Sequence, residues 1–343
     1  MTGGVPPPEP AGVLVLENNF QDNTVTSGLE DNLRATDFQR GIHAPGYYHM
    51  QLFNQNDTRG ELLPHRLLRD FSIQADLKDN SDDQVGMVVQ GLVFRARDAQ
   101  RYYALLIDPR AGKFSLVRQD GAKANELIGW TASPLIQLNG GDNRLRVDAA
   151  GDQFSFYLNG GTLGQFSDTT YAQGLLGLTV TNVDATKPHM HFDNLAVWNA
   201  GAPPKPADLA AERADPNGDM RLVAGGEFIM GSNQQGNAPV HVVGLPSFYI
   251  DRTEVTNAAY RRCVADGKCS EPRQPGSPTH PDYFSNPKYD QYPVMQVTWE
   301  QARSFCVYAN KQLPTEAQWE KAASWDAQNS YKYTFPWGDD FKP

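Results

Sequence analysis

The chain is 343 residues long and 40% hydrophobic, enough for a buried core in each of two domains. Its 40 acidic residues outnumber 30 basic ones, for a formal net charge of −10, and no Lys/Arg cluster exceeds two residues, which argues against nucleic acid and anionic membrane as partners. No apolar run approaches the roughly 20 residues of a bilayer span, so no membrane insertion by this segment is expected.

Residues 1–12 read as a linker-like start. Met1-Thr2-Gly3-Gly4 lacks the charged-then-apolar order of a signal peptide, and the proline-rich Val5 to Pro10 is the beginning expected of a fragment from a longer protein. Residues 13–199 read as β-structure. Phe71 to Leu77, Phe154 to Leu158 and Leu176 to Val180 alternate apolar and polar residues with period two. Turn clusters separate the runs, among them Asp79-Asn80-Ser81-Asp82-Asp83, Gln119-Asp120-Gly121 and Asn159-Gly160-Gly161, and a two-sheet sandwich accounts for that spacing.

Residues 200–218 form a Pro-rich linker with room for one or two helical turns over Asp208 to Ala214. Beyond it, Met220 to Val223, a Gly225-Gly226 turn and Glu227 to Ser232 predict a hairpin, and Phe248 to Ile250 a further strand. Thr256 caps a helix that carries Ala259, Tyr260, Cys263 and Val264 on one face and ends before Gly267. Thr298 with Gln301 forms a capping box ahead of Trp299, Ala302, Phe305, Cys306 and Ala309. Thr315 with Gln318 forms another ahead of Trp319, Ala322 and Ala323. Residues 219–343 are therefore an α+β unit.

Two resemblances extend this reading. Gly91 to Arg97, Tyr102 to Asp108, Asn143 to Val147 and Phe192 to Trp198, in that order, resemble the concanavalin A-like or laminin-G-like jelly roll. Asp251-Arg252-Thr253-Glu254-Val255-Thr256-Asn257, Tyr292-Pro293-Val294, Leu313 to Ala323 and Phe335-Pro336-Trp337-Gly338 resemble the N-terminal half of the formylglycine-generating enzyme, or sulfatase-modifying factor, domain. The second resemblance implies a C-type-lectin-like scaffold, with Glu254 tying loop backbone, Pro314 and Thr315 starting a helix, and Trp337 plugging the core. Asn310-Lys311-Gln312-Leu313 departs from the family's usual Gly-Lys-Arg-Leu. The copper-holding cysteine pair and the calcium loops belong to the half that would come after this one, so the resemblance implies neither cofactor nor catalytic residue for this chain. The expected fold class is β-rich and multidomain: an antiparallel jelly-roll sandwich followed by this α+β domain.

Candidate sites are few. Arg95, Tyr102, Tyr103 and Trp130 form a sugar-stacking surface if they are exposed, since aromatic faces pack on pyranose C–H groups while Arg reaches hydroxyls; otherwise they are core. His189 and His191, at strand spacing, start a zinc site only if a third ligand joins them, and a packed strand pair is the plainer reading. Asp79, Asp82 and Asp83 crowd one loop, as calcium ligands or as an ordinary polar turn. Glu17, Glu30, Glu61 and Glu126 show no Glu-x-Asp-x-Glu arrangement, which speaks against glycoside hydrolysis.

Cys263 and Cys269 flank a helix end as a local disulfide worth about 2 kcal/mol, as two free thiols, or as two ligands of a metal site. Cys306, on the apolar face of its helix, is expected to be buried and free. These features together suggest a non-catalytic binding or sensing region of a larger extracytoplasmic or secreted protein, with a glycan or protein ligand. The alternatives are a truncated piece of a copper-dependent oxidoreductase, and a structural subunit whose incomplete C-terminal domain self-associates or is completed by another chain.

Overall fold

The structure is a computed structural model that describes residues 7–21, 29, 33–43, 46–201, 220–233, 238–277 and 279–341. Nearly all of the expected linker, the helical turns at Asp208 to Ala214, the first residues of the linker-like start and Glu30 lie outside the described residues. The chain divides into two compact units. The first takes Met1–Lys205 together with Glu227–Gly244 and Ser324–Pro343, and the second takes Pro206–Gly226 and Leu245–Ala323.

The first unit is an antiparallel jelly-roll sandwich. Its strands are β1 (Val13–Asn18), β2 (Leu33–Arg34), β3 (Phe38–His43), β4 (Tyr47–Leu52), β5 (Asp57–Leu62), β6 (Phe71–Asp79), β7 (Val88–Asp98), β8 (Arg101–Asp108), β9 (Lys113–Asp120), β10 (Lys123–Ala132), β11 (Asn143–Ala150), β12 (Gln153–Leu158), β13 (Gly161–Ser167), β14 (Leu175–Asn182) and β15 (His189–Asn199). One sheet runs β13-β12-β11-β6-β15-β4-β3-β2, with β1 pairing β15 where β4 has ended. The other runs β10-β9-β8-β7-β14-β5.

Period-two alternation builds the interior. In β6, Phe71, Ile73, Ala75 and Leu77 enter the core, leaving Gln74, Asp76 and Lys78 on the outer face. Across the sandwich Phe94, Tyr103 and Phe154 pack with ring centroids 5.1–5.4 Å apart, in tilted, stacked and edge-on arrangements. Burying one such side chain stabilises the fold by roughly 2 kcal/mol.

One break in the alternation redirects a charged side chain. Between Val93 and Ala96, β7 places two residues opposite the single Leu176 of β14, and Arg95 adopts a left-handed φ of 48°. This is a β-bulge, and the extra residue turns Arg95 inward beside Phe94. A Cβ on Gly174 would stand 2.3 Å from the Arg95 carbonyl carbon, so only glycine fits opposite the bulge.

The outer face of the β7 sheet is apolar, and it is covered. The hairpin β17 (Gly226–Met230) and β18 (His241–Leu245), which comes after β16 (Met220–Val223), lays Ile229, Val240 and Val242 against Val93, Ala96, Ala104 and Leu175. Arg97 binds both oxygens of Glu227, and the Gln173 amide donates to the same carboxylate at 2.8 Å. The later segment also joins this unit. The short strands β20 (Trp325–Asp326) and β21 (Tyr331–Lys332) pair with each other, and Tyr331 bridges Arg66 through backbone.

In the second unit β16 pairs β19 (Phe248–Asp251). Helices α1 (Asn257–Ala265), α2 (Trp299–Tyr308) and α3 (Glu316–Ser324) start where their caps require: Thr256 accepts from Ala259 N, Thr298 and Gln301 close a reciprocal box, and Thr315 and Gln318 do the same. Tyr260, Cys263, Phe284 and Phe305 form the core, with Tyr260 stacked on Phe305 at 5.6 Å. Cys263 and Cys269 are joined in a disulfide around Gly267, whose φ is +66°.

Several expectations for residues 219–343 are corrected. Trp299 and Trp319, placed by spacing on buried helix faces, are 65% and 62% exposed, and Trp337 is 52% exposed rather than a core plug. Helical periodicity identifies an apolar face but not whether another element lies on it. Glu254 is exposed, and its side chain ties no loop backbone among the described residues. Cys306 is a free thiol but only half-buried; burial, followed by the nearby Asp251 carboxylate, pushes its pKa up.

Candidate functional site

The residues proposed as a sugar-stacking surface do not assemble. Arg95 is fully buried (0% exposed). Its guanidinium lies 4.8 Å over the Phe154 ring and donates to the backbone carbonyls of Arg69 (2.9 Å), Tyr171 (3.1 Å) and Gly151. Burial is the main cause that lowers its pKa. Tyr103 is equally buried; its hydroxyl donates to Asp168, and burial reinforced by that bond pushes its pKa up to about 12. Tyr102, its neighbour, points to the opposite face, packs into the apolar cluster under the β17–β18 hairpin, and has its pKa raised by burial. Trp130 is half-buried on the edge strand β10. The bulge, the alternation of β8 and the hairpin thus take Arg95, Tyr103 and Tyr102, respectively, out of a shared sugar-stacking surface.

The aspartates of the Asp79 loop do not converge either. Asp79 is buried; it accepts from Arg110 Nε at 2.7 Å and from Ser81 N at 3.1 Å, while Asp83 accepts from Val85 N at 2.7 Å. A carboxylate already engaged by an arginine and a turn is poorly disposed to a hard cation. Among the described residues no group of three or more His, Cys, Asp or Glu side chains is arranged to hold a metal. Copper fares no better: Cu(I) favours several soft thiolates, whereas two cysteines are in the disulfide and Cys306 stands apart.

The outer face of the β6 sheet does bring polar groups together. Strand register sets two adjacent rows across β4, β15, β6 and β11: Tyr47, Asp193, Asp76 and Arg144 in one, and His49, His191 and Lys78 in the next, with Asp142 just beyond the start of β11. Alternate residues of each strand point the same way, so these side chains share one face. Tyr47, Asp76, Lys78, Asp142, His191, Asp193 and Asn194 line a cleft of about 150 Å³. His191 stacks on Tyr47 with centroids 4.8 Å apart, and its Nε2 lies 3.2 Å from Nε2 of His189, whose ring meets that of His49 edge-on at 5.2 Å. The expected packed strand pair therefore gains a third imidazole from β4, still without a metal-holding arrangement among the described residues.

Charge in the cleft is unevenly balanced. Asp76 accepts two bonds from Arg144, at 2.6 and 2.7 Å, and one from the Asn194 amide at 2.8 Å. Lys78 faces Asp142 at 3.4 Å. Asp193 has no cationic partner within ion-pair distance among the described residues. Burial first, then the Asp76 and Asp142 carboxylates, raise its pKa against the opposing Asn194 backbone N–H. Asn194 adopts a left-handed φ of 49° at a register break in β15, which sets its amide against Asp76.

Sequence reasoning missed Tyr47, Asp76, Asp193 and Asn194 because they come from strands distant in sequence. Only the Asp-Asn pair at 193–194, a common left-handed turn signal inside a strand run, hinted at a local irregularity.

Residues 205–343 match the sulfatase-modifying factor enzyme 1-like domain. The hercynine oxygenase of Mycolicibacterium smegmatis is 34% identical over 158 residues, covering 38% of this chain and 37% of that protein. The formylglycine-generating enzyme of Bos taurus is 28% identical over 180 residues, covering 40% of this chain and 47% of the enzyme. The chain thus spans less than half the length of either relative. A solved carbohydrate-binding module, CBM66 from Bacillus subtilis, overlays 50% of this chain and 96% of its own at a TM-score of 0.41 and 20% identity.

Proposed function

With a sulfatase-modifying factor enzyme 1-like domain at residues 205–343 behind a jelly-roll sandwich, we propose that this chain is a non-catalytic binding region whose sandwich takes a neutral glycan in the cleft on the β6 sheet. The observation that carries the reading is the stacked Tyr47–His191 pair beside Asp76, Asp193 and Asn194 in one cleft. Flat aromatic surface next to carboxylate and amide groups suits a sugar, which presents apolar C–H patches and hydroxyl donors together. Asp193, lacking a cationic partner among the described residues, is the acceptor best placed to gain from a hydroxyl donor.

The Cys263–Cys269 disulfide supports an extracytoplasmic or secreted setting, where such bonds persist. Non-catalytic character is supported by the cysteine arrangement, since oxygen activation at copper requires thiolates these residues do not supply. Turnover of a cysteine-bearing peptide by this chain with copper supplied would refute that part of the reading.

The binding test is a screen of the full chain against neutral oligosaccharides, followed by calorimetry on the best ligand. Tyr47→Ala and Asp193→Asn each weaken binding by about tenfold or more, equivalent to about 1.4 kcal/mol. Binding to the ionised Asp193 also weakens as pH falls through its raised pKa, and Asp193→Asn removes that dependence. Retention of no glycan, or equal affinity in both variants, would rule out the cleft.

A second reading rests on a separate observation: Tyr292, Trp299, Val307 and Trp319 of the second unit are all more than half exposed. Exposed aromatic and aliphatic surface of this kind promotes association with another chain or another copy. Sedimentation as a strict monomer across the accessible concentration range would exclude self-association.

A further inference from the structure

A separate chamber lies within the sandwich, at the edge where β1 replaces β4 beside β15. Its walls are aliphatic: Val15 and Leu16 from β1, Val197 from β15, Leu176 from β14, and Leu63 and Leu68 from the segment after β5. The chamber holds about 80 Å³ and is partly open to solvent, so it takes the inner part of a chain whose remainder reaches outward. Space lined by Leu and Val offers water few hydrogen bonds and is better filled by an apolar chain.

The polar lining is confined to His65, Arg66 and Tyr331. Tyr331 contacts both of the others: the His65 ring stacks on it at 5.6 Å and 15°, and the Arg66 guanidinium lies over it at 4.8 Å. Backbone pairing keeps the three in register, with Lys332 N donating to His65 O at 2.9 Å and Leu67 N to Ser330 O at 3.2 Å. Arg66 has no carboxylate within ion-pair distance among the described residues, so its planar fork of donors is held against a ring without a counter-charge. His65 Nδ1 is 3.0 Å from Lys332 O, which assigns that nitrogen the proton.

We propose that this chamber binds a straight-chain aliphatic carboxylate, with the hydrocarbon tail among Val15, Leu63, Leu176 and Val197 and the carboxylate on the Arg66 guanidinium. A single planar fork matches a planar carboxylate in the two-bond manner, and the flat Tyr331 platform keeps it oriented. The aliphatic lining selects for a tail and the arginine for an anionic head. Acetate, which has the head alone, and octan-1-ol, which has the tail alone, each satisfy half of the site.

The test is a titration of the full chain with octanoate, octan-1-ol and acetate, followed by calorimetry or by amide shifts of β1 and β14. Octanoate binds saturably and at least about tenfold more tightly than either comparator. Arg66→Gln brings octanoate down to the affinity of octan-1-ol, and Val15→Phe, which fills the chamber from an edge strand, weakens both. The wild-type comparison of three ligands does not depend on any variant folding. Octanoate binding no tighter than octan-1-ol, no saturable binding of octanoate, or unchanged octanoate affinity in folded Val15→Phe would overturn the proposal.

Discussion

Glu61 of β5 and Arg40 of β3 form an ion pair that crosses the sandwich interior. Glu61 is 3% exposed, and Arg40 is 13% exposed. Burial raises the Glu61 pKa from its ordinary 4.5 to about 7, more than Arg40 lowers it. The folded chain therefore holds this proton to higher pH than the unfolded chain. The stability it contributes is complete below about pH 4.5 and is lost as pH rises through about 7. At 1.36 kcal/mol per decade, the loss amounts to about 3 kcal/mol.

Glu61→Gln keeps the shape and removes the proton equilibrium. The variant and the wild type should have similar stability below about pH 4.5, where both present a neutral side chain to Arg40, and should diverge between about pH 4.5 and 7, the variant being more stable by about 3 kcal/mol above that range. Urea unfolding of both proteins followed by circular dichroism at a series of pH values measures the difference, and other titrating groups cancel between them. If the pair instead outweighs desolvation, the wild type gains on the variant as pH rises. That outcome, or parallel curves, would refute the reasoning.

Arg95→Met strands three backbone carbonyls and the Phe154 face, and should lower stability by about 3 kcal/mol in urea unfolding while leaving glycan binding by the folded fraction unchanged. Replacing both Cys263 and Cys269 by serine, or reducing the disulfide, should cost about 2 kcal/mol and accelerate amide exchange in α1; unaltered exchange would contradict the bond. Glu227→Ala breaks the tie to Arg97 and Gln173. Proteolysis and amide exchange within β17 and β18 should then increase at a stability loss of about 1 kcal/mol, with the sandwich strands protected as before.

Local pattern was sufficient for a large part of this architecture. Alternation in Phe71 to Leu77 and Phe154 to Leu158 identified the inward residues, because a strand has two faces and only one meets the core. Thr256, Thr298 with Gln301, and Thr315 with Gln318 marked the helix starts, because a cap satisfies backbone donors within three residues of itself. Cys263 and Cys269 are close enough in sequence for one turn to join them, although spacing alone left free thiols and a metal site open.

Other outcomes belonged to tertiary structure. Whether Arg95 is surface or core was open in the sequence, and the pairing of β7 with β14 decides it through the bulge that turns the side chain inward. Whether Tyr102 is surface or core was open in the sequence, and a hairpin more than a hundred residues later decides it by covering that face. The cleft of Tyr47, Asp76, His191 and Asp193 exists only because β4, β15, β6 and β11 lie side by side in one register. The sequence by itself determined the conformation of each segment and its apolar face, since both depend on neighbours a few residues away. Which faces meet, and which polar groups come together, depended on non-local strand pairing, where a slip of one residue reverses every side chain.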